Sequence, residues 1–525
     1  MIRIRDLILP PEHDLNALLY HAAQALHIRS ADIASLSIFR RSLDARKKPE
    51  LRWVYTVDVT LRSGEGAVMR KNRNKKITRE TPYYYKIPKK QSEKRPVVVG
   101  FGPGGMFAAL VLAKAGLKPI VLERGSCAQT RREKVERFWN GGGLDPECNV
   151  QFGEGGAGTF SDGKLNTGTK NERGRWVLRQ FVKHGAKEDI LYDSKPHVGT
   201  DVLFHVVQNI RQTILSLGGE VRFDSKMTGL VMENHRLTGV EYEFQGEKQT
   251  LPCDHLILAI GHSARDTFRY LESIRIPMEP KPFSMGVRIE HKQAAVDQAQ
   301  YGGHRPNGIP PGDYKLSVHL PDGNSAYTFC MCPGGYVVAA ASQPGGVVTN
   351  GMSYSAREGE NANSALLVTL KPEDFPYEGV LGGMLWQEEL ERKAFLLGGG
   401  NYHAPAQRVG SFLKLTETGD GVEPTYRPGV TFCDLHDLFP EKITKTLEQA
   451  IVALEENLKG FSCAGGIMTA PETRSSSPVR ILRGEDCQSA FKGVYPCGEG
   501  AGYAGGILSA AVDGMVCAEA ILARL

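Results

Sequence analysis

No stretch of this 525-residue chain is long and apolar enough to cross a membrane; the most apolar segments are short or carry Lys114, Asp513 or Glu519. The first residues, MIRIRDLILPPEHD, lack the extended apolar run of a secretory signal. Nor do the ten cysteines contain a C-x-x-C pair. The closest two, Cys330 and Cys332, are one residue apart, which is not the spacing of a redox pair. Reduced cysteines packed as small apolar residues in a cytoplasmic protein are the expectation, and no metal centre is expected. Charge of one sign is also scarce. The 64 basic and 59 acidic side chains leave +5, too little to argue for nucleic acid by itself.

Glycine is what the chain has in excess: 59 residues, about a tenth against a usual ~7%, which suggests several loops that bring backbone against a ligand. At this length two or three domains are expected. Residues 96–125, PVVVGFGPGGMFAALVLAKAGLKPIVLERG, organise the rest. Val97, Val98 and Val99 form a strand that meets Gly100, Gly102 and Gly105 in G-x-G-x-x-G spacing. An apolar helix runs to Ala115, Gly116 stops it, and Ile120, Val121 and Leu122 form a second strand ending on Glu123. This strand–turn–helix–strand order is that of a dinucleotide fold. Gly100 permits the tight turn, Gly102 lets backbone approach a pyrophosphate, and Gly105 lets helix and strand pack closely. The helix start offers free N–H groups to phosphate, and Glu123 is placed to accept from ribose hydroxyls.

Residues 1–92 read as a separate small α/β domain. Apolar runs (Ile2, Ile4; Leu36, Ile38, Phe39; Val54, Tyr55, Val57, Val59) flank a helix-like segment at 15–26. This part is basic, with Arg40, Arg41, Arg46, Lys47, Lys48, Lys71, Arg73, Lys75 and Lys76, and an aromatic run lies at 83–85. Basic residues beside aromatics could grip RNA. A solvated face plus a linker is the other reading, and it is favoured because no RNA-module signature accompanies the charge.

The first part of the cofactor domain spans 93–276. Arg131, Arg132 and Lys134 begin a helix within reach of a pyrophosphate if it folds back. Residues 149–168, NVQFGEGGAGTFSDGKLNTG, hold five glycines from Gly153 to Gly163, too many for a helix or strand interior. Such a loop suits backbone laid against a flat or charged ligand; a flexible surface loop is the alternative. Thr200 is expected to cap a helix carrying Leu203, Val206, Val207, Ile210, Ile214 and Leu217, and 220–223 the next strand. A hairpin follows at 230–244. In DHLILAIGHSARD, 256–260 is a buried strand that could rejoin the nucleotide sheet, with Gly261 as its turn.

Over 277–440 strand-like runs (283–289, 315–320, 335–341) alternate with proline and glycine turns, which suggests an inserted, mostly antiparallel substrate domain. Residues 441–525 return to the cofactor domain. There GVYPCGEGAGYAGGILSAAVDGMVCAEAILARL is a second strand, glycine turn and helix, with Gly498, Glu499 and Gly500 in the turn. The helix start near Gly505 and Gly506 is another anion-stabilising end. A cofactor touching both turns would be long, with adenosine and pyrophosphate at the first and a second ring system at the other.

This arrangement resembles the FAD-containing two-dinucleotide-binding-domain flavoproteins. More narrowly it is similar to bacterial FAD-dependent dehydrogenases with an N-terminal accessory domain. GFGPGGMFAALVLAKAG, VQFGEGGAGTFSDGKLNT, ETRSSSPVRI and YPCGEGAGYAGGILSAA carry the resemblance over nearly the whole chain. It implies an α/β fold: a Rossmann-like FAD-binding domain, an inserted mostly antiparallel β domain and a small N-terminal α/β domain. It implies FAD held by Gly100, Gly102, Gly104, Gly105, Glu123, Arg124 and Arg131, with Met227 and Gly261 nearby. Gly155, Gly156 and Gly158 would border the flavin region. Gly498, Glu499, Gly505, Gly506 and Ile507 would hold the other end, Glu499 standing where the wider superfamily commonly has Asp.

The expected activity is that of an FAD-dependent oxidoreductase moving a hydride between flavin and a small organic substrate. Helix N–H groups near Gly506 could stabilise negative charge on the reduced ring. No second strand–GxGxxG–helix is evident, so no separate NAD(P)H domain is expected, although a nicotinamide donor could visit the open flavin face transiently. That, with the missing C-x-x-C, argues against a disulfide reductase. The candidate substrate residues are Arg474, able to clamp a carboxylate or simply fix its loop, and Arg288 and His291 on an inserted strand. A structurally satisfied histidine is the commoner outcome for His291. Tyr503 could stack on the flavin or pack. An RNA-associated flavoprotein and a monooxygenase are the alternative functions.

Overall fold

Residues 1–80 build an antiparallel sheet of order β2-β3-β1-β4 from β1 (Ile2–Leu9), β2 (Ile33–Lys47), β3 (Glu50–Leu61) and β4 (Ile77–Arg79). Alternation in β3 sends Trp53, Tyr55 and Val57 inward against Leu18, Ala22 and Leu26 of α1 (Asn16–Leu26). A short helix, α2 (Glu65–Lys71), precedes β4. The computed structural model describes all residues except 73, 83, 166–170 and 417–420. Arg73, Tyr83 and the end of the second glycine loop from Asn166 therefore lie outside the described residues.

Two of the basic residues of this unit, Arg41 and Lys48, dock it against the rest of the chain. Arg41 makes a two-point ion pair with Asp193 at 2.6 and 2.8 Å, and its backbone bonds Tyr192 and Ser194. The Lys48 ammonium donates to the Ala299 carbonyl at 2.5 Å, and Arg46 pairs locally with Asp44. Tyr301 and Ile309 complete the small core from the far side of the contact.

The cofactor domain carries a parallel sheet of order β23-β11-β5-β6-β7. Its strands are β5 (Val97–Val99), β6 (Ile120–Leu122), β7 (Glu220–Arg222), β11 (Leu256–Leu258) and β23 (Val494–Pro496). All but β7 are buried throughout, as continuous apolar runs require. Helix α3 (Pro103–Ala115) makes the crossover from β5 to β6. After α4 (Ala128–Trp139), α5 (Glu172–Lys183) and α6 (Thr200–Ser216) comes an antiparallel meander of β8 (Ser225–Glu233), β9 (Arg236–Phe244) and β10 (Glu247–Pro252), which then leads into β11. Thr200 does not cap α6. Gly199, at φ 83°, is the cap, while the Thr200 hydroxyl donates to the Thr159 carbonyl.

Beyond α7 (Arg265–Ser273) the chain leaves this domain along β12 (Met278–Pro280) and comes back along its antiparallel partner β22 (Val479–Ile481). Between them lies a seven-stranded sheet of order β14-β15-β18-β13-β21-β19-β20. Its members are β13 (Phe283–Lys292), β14 (Ser317–His319), β15 (Ser325–Cys332), β18 (Asn361–Leu370), β19 (Ala404–Arg408), β20 (Val430–Phe432) and β21 (Ile467–Glu472). Every pairing is antiparallel except β19 with β20. A ribbon of β16 (Tyr336–Ala339) and β17 (Thr349–Met352) stands apart. Helices α8 (Gln293–Tyr301), α9 (Gly382–Leu397), α10 (Val409–Phe412) and α11 (Glu441–Leu454) join the strands. Because β21 sits inside this sheet, the insert draws on residues well past 440. The last helix, α12 (Ile507–Leu522), runs against α3. Among the described residues no helix is long and apolar enough to cross a membrane.

Candidate active site

The turn after β5 is shaped by contacts that a side chain would break. Gly100 has φ 93°, and a Cβ there would meet the Ala259 carbonyl at 2.3 Å. The second glycine loop lies against the first: a Cβ on Gly156 would come within 2.8 Å of the Gly102 Cα. Gly102 opens α3, whose first N–H groups have no intrahelical acceptor. On the C-terminal side, Asp513 of α12 holds the turn after β23, its Oδ2 accepting from Gly498 N at 2.7 Å while Arg483 pairs with it at 2.6 Å. Gly505 and Gly506 precede α12, and a Cβ on either would face open space. The two helix starts thus point into one cavity.

That cavity holds about 470 Å3. Its lining from the nucleotide fold includes Gly100, Gly102, Gly104, Glu123, Arg124, Gly156, Gly158, Met227, Gly261 and His262, and from the C-terminal turn Gly498, Glu499, Gly505, Gly506 and Ile507. The inserted segment contributes Tyr314, Lys315, Phe329, Cys330, Asn350 and Glu472, with Arg474 beside them. The buried His262 Nε2 has no hydrogen-bond partner, while its Nδ1 lies 3.4 Å from Glu499 Oε1. Backbone cradles, two helix N-termini and an unpartnered imidazole nitrogen form a donor set that fits a long, flat dinucleotide.

Glu123 does more than wait for a ribose. Its Oε2 accepts from Phe101 N at 2.7 Å and its Oε1 from Gly125 N and Gly153 N at 2.9 Å each. It therefore ties the two glycine loops together, and of about four carboxylate lone-pair sites one is left for a hydroxyl. Arg124 stacks over Phe152 at 4.2 Å and pairs with Glu147 and Asp266. Despite burial, Arg124 and Lys226 hold the Asp266 carboxyl well below the usual carboxylate range.

Several expected site residues lie elsewhere. Arg131 does not reach the cavity. Its fully buried guanidinium donates to the carbonyls of Asn149, Val150, Gly153, Glu154 and Gly156 at 2.7–3.3 Å, so it is the internal clamp of the glycine loop. Burial pushes it down to about 10. Gly105 and Gly155 also lie off the cavity lining. A Cβ on Gly105 would meet the Gly100 carbonyl at 1.9 Å, and one on Gly155 the Thr159 hydroxyl at 2.1 Å. His291 is turned into the core, Nε2 on the Phe461 carbonyl at 2.9 Å, and burial pushes it below the ordinary imidazole range. Arg288 is consumed by Glu472, at 2.7 and 3.1 Å, and by the Cys330 carbonyl. Tyr503 packs on Arg483, 3.7 Å from the guanidinium carbon to the ring centre, rather than lining the cavity.

Arg474 does line the cavity but is no free carboxylate clamp. It donates twice to Glu391, at 2.9 and 2.7 Å, and to the hydroxyls of Ser263 and Ser342. Glu391 is shared with Arg265, at 2.8 Å to each oxygen. Against the pull of burial, these two arginines hold the Glu391 carboxyl well below its usual range. The triad joins α7, α9 and the loop after β21. Neither Glu391 nor Arg265 carries a local motif that would have singled it out. Lys164, Lys195 and Lys315, also without a sequence signal, line the cavity near the inserted sheet. Lys195 pairs with Asp313 at 2.6 Å and Lys164 stands 3.9 Å from Asp162. Among the described residues Lys315 has no hydrogen-bond or ion-pair partner.

Residues 282–475 match the family described as FAD-dependent protein, C-terminal domain-like, and residues 1–60 match a domain of unknown function, DUF8436. An uncharacterized protein of Clostridium beijerinckii is 45% identical over 532 aligned positions, covering 100% of this chain and 99% of the relative. Among solved structures, the flavin-dependent brominase Bmp2 is 12% identical with a TM-score of 0.37, over 83% of this chain and 80% of that one. A geranylgeranyl bacteriochlorophyll reductase-like protein of Thermoplasma acidophilum is 14% identical with a TM-score of 0.35, over 83% and 80%. With its Clostridium relative, the chain belongs to one family, and the match of residues 282–475 puts it among FAD-dependent proteins, for which FAD is the cofactor.

Proposed function

We propose that the protein is a dehydrogenase or reductase that moves a hydride between FAD and a small, anionic organic substrate held beneath the inserted sheet. In this reading the adenosine half lies by Glu123, Arg124 and Met227, and the pyrophosphate between Gly102, Gly156 and Glu499. The flavin lies by Gly158, Gly505, Gly506 and Ile507. The observation that carries it is the continuity of one cavity from the first glycine turn to the sheet wall. Bound FAD supplies the two-electron chemistry. The chain supplies position and charge. N–H groups at the start of α12 favour negative charge at the ring edge facing them. Arg474, locked by Glu391 and two serines, holds its loop in place. Lys164, Lys195 and Lys315 draw an anion toward the sheet end.

NAD(P)H is proposed as a transient electron donor to the open end of the cavity, and the cytoplasm as the protein's location. A stopped-flow survey of reductants and oxidants on the purified holoprotein tests the reading. Rapid bleaching of the flavin by NAD(P)H, followed by reoxidation with an organic acceptor, is the expected outcome. If substrate speeds flavin reduction and labelled oxygen enters the product, the enzyme is a monooxygenase and the hydride-transfer reading fails.

A further inference from the structure

We propose that Cys330 and Cys332, on the sheet wall of the cavity, form a reactive thiol pair that exchanges with small-molecule disulfides. Their one-residue spacing gives no turn of the C-x-x-C kind, but a bulge does the same work. In β15, Phe329 pairs with Ala365 and Cys332 with Asn363, so three steps on one strand face two on the other. Cys330 takes up the slack in the left-handed region, φ 44°, where few non-glycine residues sit. The Cys332 thiol then donates to the Cys330 carbonyl at 3.2 Å.

Access differs between the two. Cys330 is half-buried and lines the cavity, whereas Cys332 is fully buried behind it. Facing groups have both signs: Arg288 of β13 donates to the Cys330 carbonyl at 2.9 Å, Lys164 approaches from the glycine loop, and Asp162 opposes them. The hydrogen bond from Cys332, aided by Arg288 and Lys164, holds the Cys330 thiol below the ordinary thiol range. Burial and the neighbouring sulfur push Cys332 up. A cavity-lining thiol held low beside a buried partner held high is the arrangement of an attacking and a resolving sulfur.

The exchange balances without any further reagent. The Cys330 thiolate attacks one sulfur of a disulfide R–S–S–R, whose S–S bond breaks, and RS⁻ leaves with the electron pair. That thiolate takes the Cys332 proton. Cys332 sulfur then attacks the Cys330 sulfur, the mixed disulfide breaks, and a second RS⁻ departs. The protein dithiol is oxidised by two electrons and the small disulfide is reduced to two thiol equivalents.

The test uses the purified holoprotein, reduced and desalted, with iodoacetamide and glutathione disulfide as probes and peptide mass spectrometry as readout. Near pH 6, Cys330 should be alkylated about tenfold faster than any of the other nine cysteines. Glutathione disulfide should join Cys330 to Cys332 in the native chain. It should leave a glutathione adduct on Cys330 in Cys332→Ser and no reaction at this site in Cys330→Ser, with circular dichroism confirming that both variants fold. Alkylation of Cys330 no faster than that of buried Cys253 or Cys148 would overturn the proposal, as would absence of the adduct in folded Cys332→Ser. These readouts do not depend on turnover of the flavin.

Discussion

A Cβ placed on Gly514 would lie 2.0 Å from the carbonyl oxygen of Gly104, so α3 and α12 meet backbone to backbone. This contact sets the spacing of the two helix starts that face the cavity. Gly514→Ala must push the helices apart, and overpacking of this kind costs about 1–3 kcal/mol. The expected result is a lower unfolding temperature together with weakened FAD retention. Gly505→Ala is the contrast, since no atom lies within 4 Å of its Cβ. It should leave the unfolding temperature of the apoprotein near that of the parent and change only FAD affinity. Equal unfolding temperatures for the two apoprotein variants would show that the Gly104–Gly514 contact is not what positions the helices.

The first turn was legible because each glycine there answers a contact within a few residues or across one strand. Val97 to Glu123 could be read as strand, turn, helix and strand without knowing anything else. Arg131 shows where that ends. Its basic character suggested phosphate, yet its five acceptors are carbonyls 18–25 residues ahead, brought round by the loop's own fold. Arg474 was ambiguous for the same reason, since its partner Glu391 lies 83 residues earlier on another element. The insert was legible as antiparallel sheet, but β21 was not, because its pairing with β13 spans nearly two hundred residues. The bulge at Cys330 was not legible, because a bulge is a property of two strands and cannot be read from one.

Glu391 links acid stability to the cavity wall. Its folded pKa is depressed, so its contribution is fully present above the unfolded value of about 4.3 and is lost as pH falls toward the folded value. Glu391→Gln removes that contribution at neutral pH and leaves Arg265 and Arg474 without their shared counter-charge. Breaking a buried pair this way costs about 3–5 kcal/mol. Urea unfolding at neutral pH should show the loss, and the variant's stability should fall less steeply than the parent's below about pH 4. A parallel decline in both proteins would mean that Glu391 is not a source of the acid dependence.

Lys315 offers a test of the anionic substrate. It lines the cavity, and no described residue neutralises it. Titrating simple carboxylates into the oxidised holoprotein should perturb the flavin spectrum, and Lys315→Gln should weaken that response several-fold with little change in thermal stability. Raising the salt concentration should narrow the gap between parent and variant, because an exposed charge is screened. A response to carboxylates that is identical in the two proteins would remove Lys315 from the substrate site.

Arg41 and Asp193 separate docking of the N-terminal unit from catalysis. The pair fixes β2 against the loop before α6, with Arg41 lying over Trp53 at 4.8 Å and Tyr192 at 5.2 Å. Arg41→Ala removes the ion pair and both ring contacts, while the β-bridge through the backbone of residue 41 is retained. The side-chain pair is about a quarter exposed, so its removal should loosen the contact rather than unfold the unit. The segment between β4 and β5 should then be cut sooner by a protease at native conditions. The flavin spectrum and the rate of flavin bleaching should stay as in the parent, since none of these residues lines the cavity. If bleaching slows together with faster cleavage, the N-terminal unit acts on the flavin site rather than merely resting on the body of the protein.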